Sequence, residues 1–220
     1  PPLPVAAKDA APAEALKSFL GSYPGRVLIA ADSPGRREAL LAALCTDSGR
    51  RAISALEIDG VIGMLNRWAR QAPETIGRHS PATRPSAMPG ITLSTRLRPY
   101  PLVGIISPWN FPLTLAMIDA IPALAAGCAV LVKPSEVTPR FIAPMMEAIH
   151  DVPGLSHVLD VVEGDGVTGA AIVSVVDMIA FTGSVATGRK VGEAAARAFI
   201  PASLELGGKD PMLVLDSADP

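Results

Sequence analysis

Short apolar runs alternate with helix-length segments through the second half of the chain. The runs are Leu102–Ile106, Ala129–Val132, Val158–Val162, Met178–Phe181 and Leu213–Leu215. Between them, the pattern predicts helices over Thr114–Ala126, Pro139–Ile149 and Val185–Phe199. Apolar strands that alternate with helices are typical of a parallel sheet covered on both faces. We therefore predict an α/β fold with a Rossmann-like open parallel sheet, helices on both faces and additional helices before it.

Local signals in the first half predict those additional helices. Ser33 is a suitable N-cap, Pro34 a suitable first helical residue and Gly49 a suitable stop for one helix. Ser54 and Glu57 have the spacing of a capping box, which predicts the start of a second helix.

A connection is predicted to follow the second helix. Residues 71–90 are rich in Pro, Ser, Arg and Gly, whereas Ile91–Arg98 alternates apolar and polar residues as a half-exposed strand does.

Composition and charge narrow the classes of partner. Hydrophobic residues make up 49% of the chain and charged residues 18%, as in a packed globular protein. The net charge of −2, without a Lys/Arg cluster, gives no source for attraction to nucleic acid. Leu113–Val132 is long enough to cross a bilayer, but Asp119 and Pro122 near its middle favour a buried helix followed by a buried strand. We expect neither nucleic acid nor membrane as a partner.

Cysteine usage points to a reducing compartment. Cys45 and Cys128 match neither a disulfide framework nor, with the three histidines, a zinc site. We therefore expect no metal and a cytoplasmic location. Cys128 enters a predicted buried strand and Cys45 ends a predicted helix, so neither is expected to act as a nucleophile.

A stiff loop follows the strand Leu102–Ile106, at the edge where parallel sheets bind ligands. Pro108 and Pro112 flank Trp109 and Asn110 there. The Asn110 amide could donate to a developing oxyanion. By itself the loop favours the alternative, a turn asparagine bonded to nearby backbone.

Charged residues follow the strand Ala129–Val132. The Glu136 carboxylate could accept hydrogen bonds from a ribose diol, and Lys133 could donate to the same sugar. The alternative is an exposed pair with little effect on stability.

Two glycine-containing loops compete as a phosphate site. Gly164–Gly169 is a literal G-x-G-x-x-G, but no acidic residue ends a strand about twenty positions later, which makes the fingerprint weak. Phe181–Gly188 is the better candidate, because the hydroxyls of Thr182 and Ser184 and the backbone of Gly183 coincide with a predicted helix start.

A carboxylate lies in the last motif, Leu204–Lys209. Apolar neighbours can raise the pKa of such a group, so Glu205 is a candidate general base. A satisfied structural glutamate is an equal alternative for this residue taken alone.

Together, these loops resemble the aldehyde dehydrogenase superfamily from about Leu93 onward. The matching stretches are GIISPWNFPL, AAGCAVLVKPSE, FTGSVATG and LELGGKDP. The resemblance implies that Asn110 stabilises the oxyanion and that Glu205 activates the water that releases the acid. It implies a cofactor-binding set of Ser107, Pro108, Trp109, Lys133, Ser135, Glu136, Gly166, Phe181, Thr182, Gly183, Ser184, Thr187, Leu206 and Gly207.

The resemblance also implies the reaction and the extent of the chain. In this superfamily a cysteine thiolate attacks an aldehyde, hydride passes to NAD(P)+, and water releases the carboxylic acid. The position of that cysteine would fall beyond Pro220, and the chain starts with Pro1 rather than Met. We therefore expect a fragment that is inactive alone, from an enzyme that forms a homo-oligomer when full length. NAD is the expected cofactor because Glu136 would repel a 2′-phosphate. NADP is the other candidate, since Lys133 and Ser135 could offset that repulsion.

The implied organisation is a disordered or linker-like N-terminus, 1–15, and an incomplete NAD(P)-binding domain, 16–220. Within this domain, residues 71–98 would form a connection and a strand that reach the oligomerisation region. Two alternatives are a nucleotide-binding module without turnover and a Rossmann reductase that uses the Gly164–Gly169 loop. The reductase would need an acidic residue and a relay tyrosine, and the chain has only Tyr23 and Tyr100.

Overall fold

Two helices and a short ribbon precede an alternation of strands and helices in the computed structural model, which describes residues 34–79 and 83–218. In chain order the elements are α1 (Pro34–Ser48), α2 (Arg51–Arg78), β1 (Arg84–Pro85), β2 (Thr92–Leu93), β3 (Leu102–Ile106), α3 (Pro112–Ala126), β4 (Ala129–Lys133), α4 (Ile142–His150), a 3₁₀ turn (Leu155–His157), β5 (Leu159–Val161), α5 (Gly166–Val173), β6 (Met178–Gly183), α6 (Val185–Ala198) and β7 (Ala202–Leu206). The predicted N-cap Ser33 and the predicted linker 1–15 lie outside the described residues.

Five strands form a parallel sheet in the order β5-β4-β3-β6-β7. The chain builds outward from β3 to β4 and β5, then returns to the other side of β3 to add β6 and β7. Such a reversal of strand order marks the point where open α/β sheets bind ligands, at the carboxyl ends of the strands. The predicted parallel α/β sheet is confirmed.

Helices cover both faces of the sheet, as predicted. Val103 and Ile105 of β3 pack into the larger core with residues of α1, α2, α3 and α4. Ile106 of β3 joins Ile179 and Phe181 of β6 in a second core with residues of α5 and α6. Side chains of a strand point alternately to its two faces, so the central strands are apolar on both.

The edge of the sheet differs from the prediction. β7 was not predicted, because its Ala-Ser-Leu-Glu-Leu sequence alternates in polarity and lacks the continuous apolar run of a central strand. Leu213–Leu215, predicted as a strand, is exposed and forms none. Ile91–Arg98 was predicted as a half-exposed strand, but only Thr92–Leu93 pairs, with Arg84–Pro85, and the whole segment is exposed.

Helix α2 is longer than predicted at both ends. It begins at Arg51 and continues through Pro73 to Arg78, where a connection had been predicted from residue 71. The predicted capping box is wrong, because Ser54 lies inside the helix and Glu57 is buried against the amino end of α3.

The stretch Leu113–Val132 lies within α3 and β4, which confirms the predicted buried helix and strand. Among the described residues, no helix combines the length and apolar character needed to cross a membrane.

Replacing Gly104 by Ala is expected to destabilise the protein by about 1–3 kcal/mol. A Cβ atom at this position of β3 would lie 2.8 Å from Ile172 Cγ2 and 2.9 Å from Ile179 Cδ1, both in the second core. Urea unfolding followed by circular dichroism measures the change in the free energy of unfolding.

Gly60→Ala in α2 is the matched control for this prediction. Apart from the adjacent residues and the backbone of the helix itself, no atom lies within 4 Å of the methyl group that it adds. Since a helix interior favours Ala over Gly by about 0.5–1 kcal/mol, this variant is expected to be more stable than the wild type. A Gly104→Ala variant as stable as the wild type would contradict the packing around β3.

Candidate functional site

The parallel sheet brings the predicted site residues to one edge. Asn110 follows β3 and Ser184 follows β6, the two adjacent strands at which the strand order reverses. Glu136 follows β4 on the other side of β3, and Glu205 lies near the end of β7. All parallel strands point the same way, so these residues share the carboxyl edge of the sheet.

The loop after β3 is anchored through its main chain. The Ser107 N–H donates to the Lys133 carbonyl at 3.2 Å, and the Trp109 carbonyl accepts from the Thr138 hydroxyl at 3.3 Å. Ser107 is buried, and its Oγ has no hydrogen-bond partner among the described residues. Pro108 is half-buried, whereas the Trp109 side chain is 58% exposed and Asn110 is exposed. The loop therefore presents its aromatic and amide groups at the edge.

Lys133 and Glu136 form an ion pair in the loop after β4. The Lys133 side chain is 5% exposed, and its Nζ lies 2.8 Å from Oε2 of Glu136, which is 55% exposed. The hydrogen bond from this ammonium lowers the pKa of the Glu136 carboxyl. Between them, Ser135 Oγ accepts from the Val137 N–H at 3.3 Å and tightens the turn. A buried cation and an exposed carboxylate thus stand side by side at the carboxyl end of β4.

The amino ends of α5 and α6 differ in the charge of their caps. At α5, Asp165 Oδ1 accepts from the Val167 N–H at 2.9 Å. At α6, Ser184 Oγ accepts from the Thr187 N–H at 3.2 Å, which is a neutral cap. Each helix has partial positive charge at this end, but a carboxylate already offsets that charge at α5. The amino end of α6 is therefore better suited to a phosphate group.

Glycines shape both loops through contacts with their own neighbours. Gly164 has a φ of +152°, and a Cβ there would lie 2.0 Å from Thr168 Oγ1. A Cβ on Gly183 would lie 2.6 Å from Cζ of the buried Phe181 ring. Gly183 is thus required for local packing, whatever else approaches its backbone. Gly166, the first residue of α5, is exposed with open space around it.

The expectation that apolar neighbours surround the Glu205 carboxylate is wrong. Its carboxylate is exposed on the edge strand β7, rather than surrounded by its apolar neighbours. Leu204 and Leu206 point to the opposite face of the sheet, where their Cδ atoms pack beside Gly192 and Gly188 of α6. Alternation along the strand separates the carboxylate from the leucines on either side of it.

Asp119 interacts electrostatically with Glu205, and the sequence pattern did not predict this interaction. This half-buried residue of α3 has its pKa raised by burial first and by the charge of Glu205 second. Glu205 pairs with Thr182 in the ladder, and the Gly207 N–H extends the ladder to the Gly183 carbonyl at 3.1 Å. β7 lies two strand spacings, about 10 Å, from β3, and no hydrogen bond joins Glu205 to the β3 loop in the described ranges.

Neither cysteine of the chain lies at this edge. Cys128 immediately precedes β4, at the amino end of the strand, and burial raises the pKa of its thiol. Cys45 lies within α1 and packs against the larger core. Both are free thiols. In the part of the chain that the structure describes, no group of three or more His, Cys, Asp or Glu side chains could hold a metal ion.

A family model described as the aldehyde dehydrogenase family matches residues 29–220. The chain belongs to the aldehyde dehydrogenase family. This confirms the resemblance carried by the loop motifs and extends it into the helices that precede them.

Individual relatives support the same assignment. A protein of Mycolicibacterium smegmatis, provisionally named an NADP+-dependent succinate-semialdehyde dehydrogenase, is 41% identical over 76% of this chain and 33% of its own length. The solved structure of PutA from Anabaena variabilis is 52% identical, with a TM-score of 0.79, over 94% of this chain and 42% of its own. Betaine aldehyde dehydrogenase from Staphylococcus aureus, solved with NAD+, is 28% identical, with a TM-score of 0.76, over 96% of this chain and 40% of its own.

The chain spans about a third of the length of the curated relatives it matches. The motifs that carried the resemblance run from the ends of strands into the loops that follow them, whereas several residues that hold the Asn110 loop belong to no motif. Arg50 and Thr138 contact the main chain of the Asn110 loop from distant positions, and Glu57 contacts the first turn of α3, which follows that loop. Only the fold reveals such contacts, because nothing in the spacing of these residues connects them.

Lys133→Met is expected to raise the pKa of Glu136 toward that of an ordinary glutamate, because the variant removes the ammonium donor. Carboxyl ¹³C chemical shifts followed through a pH titration measure this pKa. A lowered folded-state pKa means that the pair stabilises the fold above the pKa of unfolded glutamate, and that this contribution is lost as the pH falls through the folded value. The difference in stability between wild type and variant should therefore shrink on acidification.

Lys190→Met, at an exposed position on α6, is the control and should leave the titration of Glu136 unchanged. An unchanged Glu136 pKa in Lys133→Met would show that the ion pair does not form in solution.

Proposed function

We propose that this chain is the nucleotide-binding part, residues 16–220, of an enzyme that oxidises an aldehyde to a carboxylic acid with NAD+. The observation that carries the proposal is the neutral-capped amino end of α6, next to the Asn110 loop at the strand-order reversal. An anion site and an amide donor thereby occupy neighbouring strand ends, as joint binding of a dinucleotide and a carbonyl substrate requires.

The donors and acceptors at the edge fit a dinucleotide. Glu136 and Lys133 suit the hydroxyls of the adenosine ribose, and Gly183 and Ser184 at the start of α6 suit the pyrophosphate. Exposed Trp109 would line the cleft. The other proposed contacts are Ser107, Pro108, Ser135, Gly166, Phe181, Thr182, Thr187, Leu206 and Gly207. Bound NAD+ would supply the hydride acceptor.

The residues of the chain would act on the substrate at two points. The Asn110 amide would donate a hydrogen bond to the carbonyl oxygen as that oxygen gains negative charge. Glu205 would accept a proton from the water that releases the acid. Both roles require a thiolate nucleophile nearby, which neither buried Cys128 nor Cys45 in α1 supplies.

The positions of the two cysteines support a second candidate function, nucleotide binding without turnover by this chain. A pure binder needs neither an amide aimed at a carbonyl nor a carboxylate for water, so Asn110 and Glu205 favour the first proposal.

The proposal extends to assembly and location. The ribbon of β1 and β2 exposes apolar side chains, including those of Met88, Ile91 and Leu93, and would form part of an oligomerisation region in a full-length homo-oligomer. Two free thiols fit the reducing cytoplasm.

NAD+ is expected to bind this chain more tightly than NADP+, because the Glu136 carboxylate accepts from a ribose hydroxyl and repels a 2′-phosphate. Glu136→Gln should change the ratio of the two Kd values about five- to tenfold in favour of NADP+. Isothermal titration calorimetry with each dinucleotide measures both constants. Glu147→Gln, which removes an exposed carboxylate from α4, should leave the ratio unchanged. Tighter binding of NADP+ to the wild type would overturn the assignment of NAD+.

The chain alone is expected to form no NADH from NAD+ and an aldehyde, because neither thiol lies at the carboxyl edge. Absorbance measurements with several aliphatic and aromatic aldehydes test this, on protein first shown to bind NAD+. Sustained NADH formation would mean that one of the two cysteines reaches the edge, and the variants Cys45→Ser and Cys128→Ser would identify it.

A further inference from the structure

The loop that presents Asn110 and the start of α3 are held by Arg50 and Glu57, through contacts that span 60 and 57 residues of the chain. We propose that Arg50 and Glu57, at the amino end of α2, are positioning residues that fix the orientation of the Asn110 amide. This inference rests on the proposed function of Asn110 as an oxyanion donor. The sequence predicted no role for either residue in positioning the Asn110 amide.

Arg50 contacts the loop in two ways. Its Nη2 donates to the Asn110 carbonyl oxygen, and its guanidinium carbon lies 5.0 Å from the centre of the Phe111 ring. The planar guanidinium suits both contacts, since it donates in its plane and stacks over an aromatic face. Arg50 thus holds two consecutive residues of the loop.

The turn between α1 and α2 anchors Arg50 itself. Gly49, with a φ of +69°, ends α1 by donating to the Cys45 carbonyl at 2.8 Å. The Arg50 N–H donates to Ser48 Oγ at 3.2 Å, and Ser48 Oγ lies 3.2 Å from Ser54 Oγ. The arginine therefore reaches the loop from a main chain with little freedom to move.

Glu57 supplies the cap that α3 lacks. The N-cap residue of α3 is Phe111, whose side chain makes no capping hydrogen bond. Glu57 Oε2 instead accepts from the Thr114 N–H at 3.1 Å, and Glu57 is 3% exposed. A carboxylate at this position satisfies an otherwise free amide and favours the positive end of the helix. Burial raises the pKa of Glu57, which the backbone N–H groups of α3 and the nearby Arg50 charge partly oppose.

Asn110 lies between these two anchors. Its carbonyl is bound by Arg50, the following helix is capped by Glu57, and the preceding carbonyl, that of Trp109, accepts from Thr138. Within the described residues the Asn110 side-chain amide makes no hydrogen bond of its own. Its direction is consequently set by the main chain, which is the part that α2 holds.

The test uses the asparagine signals, because the sequence contains just two asparagines, Asn66 and Asn110. Selective ¹⁵N-asparagine labelling then gives two backbone amides and two side-chain NH₂ pairs. Asn66 serves as an internal reference for α2, since it lies on that helix and its Nδ2 donates to the Ile62 carbonyl at 3.0 Å. An Asn110→Ala variant assigns the signals.

Arg50→Ala is expected to release the loop. The order parameter of the Asn110 backbone amide should fall from about 0.85 to below about 0.6, and its NH₂ pair should move toward the shifts of an unfolded chain. The Asn66 signals should stay in place. Arg37→Ala is the control. It removes an ion pair between α1 and α2, in which Arg37 Nη1 lies 2.9 Å from Asp59 Oδ1, and it should shift the signals of neither asparagine.

The Glu57 variants separate the cap from the charge. Glu57→Gln keeps an oxygen acceptor for the Thr114 N–H and should preserve the Asn110 signals, whereas Glu57→Ala should not. Unmoved Asn110 signals in folded Arg50→Ala, or equal displacement of Asn66 and Asn110, would overturn the proposal. Should Glu57→Ala fail to fold, Arg50→Ala decides alone.

A parallel NAD+ titration separates this inference from the proposed function. Ser107, Pro108 and Trp109 are proposed cofactor contacts and lie in the Asn110 loop itself, so the titration that tests the proposed function is made on the wild type. A wild type that binds no NAD+ would refute the proposed function. The asparagine signals would still decide whether α2 positions the loop.

Discussion

The pairing of β3 with both β4 and β6 is the interaction on which the rest of the structure depends. β3 forms parallel ladders on its two sides. Helices α1 to α4 pack on one face of the sheet, and α5 and α6 pack on the other. Gly104, at its centre, lets the second core approach closely. Because the strand order reverses here, the loop of Asn110 and the amino end of α6 become neighbours, although more than seventy residues separate them in sequence.

Electrostatics reinforces the distinction that the topology makes between the ends of the strands. Two helices, α5 and α6, start at this edge with similar partial charge. Asp165 offsets that charge at α5, and Asp165 also acts on Glu136 across the loop, whereas Ser184 leaves α6 without a negative cap. The glycine-rich sequence before α5 is the better match to a fingerprint, yet its charged cap makes it the poorer candidate for an anion site.

The central strands could be predicted from the sequence because burial on both faces produces continuous apolar runs, as in β3, β4 and β6. β7 escaped prediction because an edge strand alternates in polarity, and the same alternation gives Glu205 an environment unlike that of its sequence neighbours. The loop motifs identified the family through their order. The contacts of Arg50 and Glu57 span fifty residues or more and leave no local pattern, so only the folded chain shows them.

The two proposed catalytic groups are held to very different degrees, and their chemistry accounts for the difference. An oxyanion donor acts by direct hydrogen bonding, and its geometry must hold within about 0.5 Å. The Asn110 loop meets that demand with anchors from α2 and from Thr138. A base that activates water accepts a proton from that water, directly or through one further water molecule. Glu205 is exposed and held by the ladder of β7, so water reaches its carboxylate. An anchored amide thus matches the direct hydrogen bond of the first proposed role, and a solvent-accessible carboxylate matches the proton acceptance of the second.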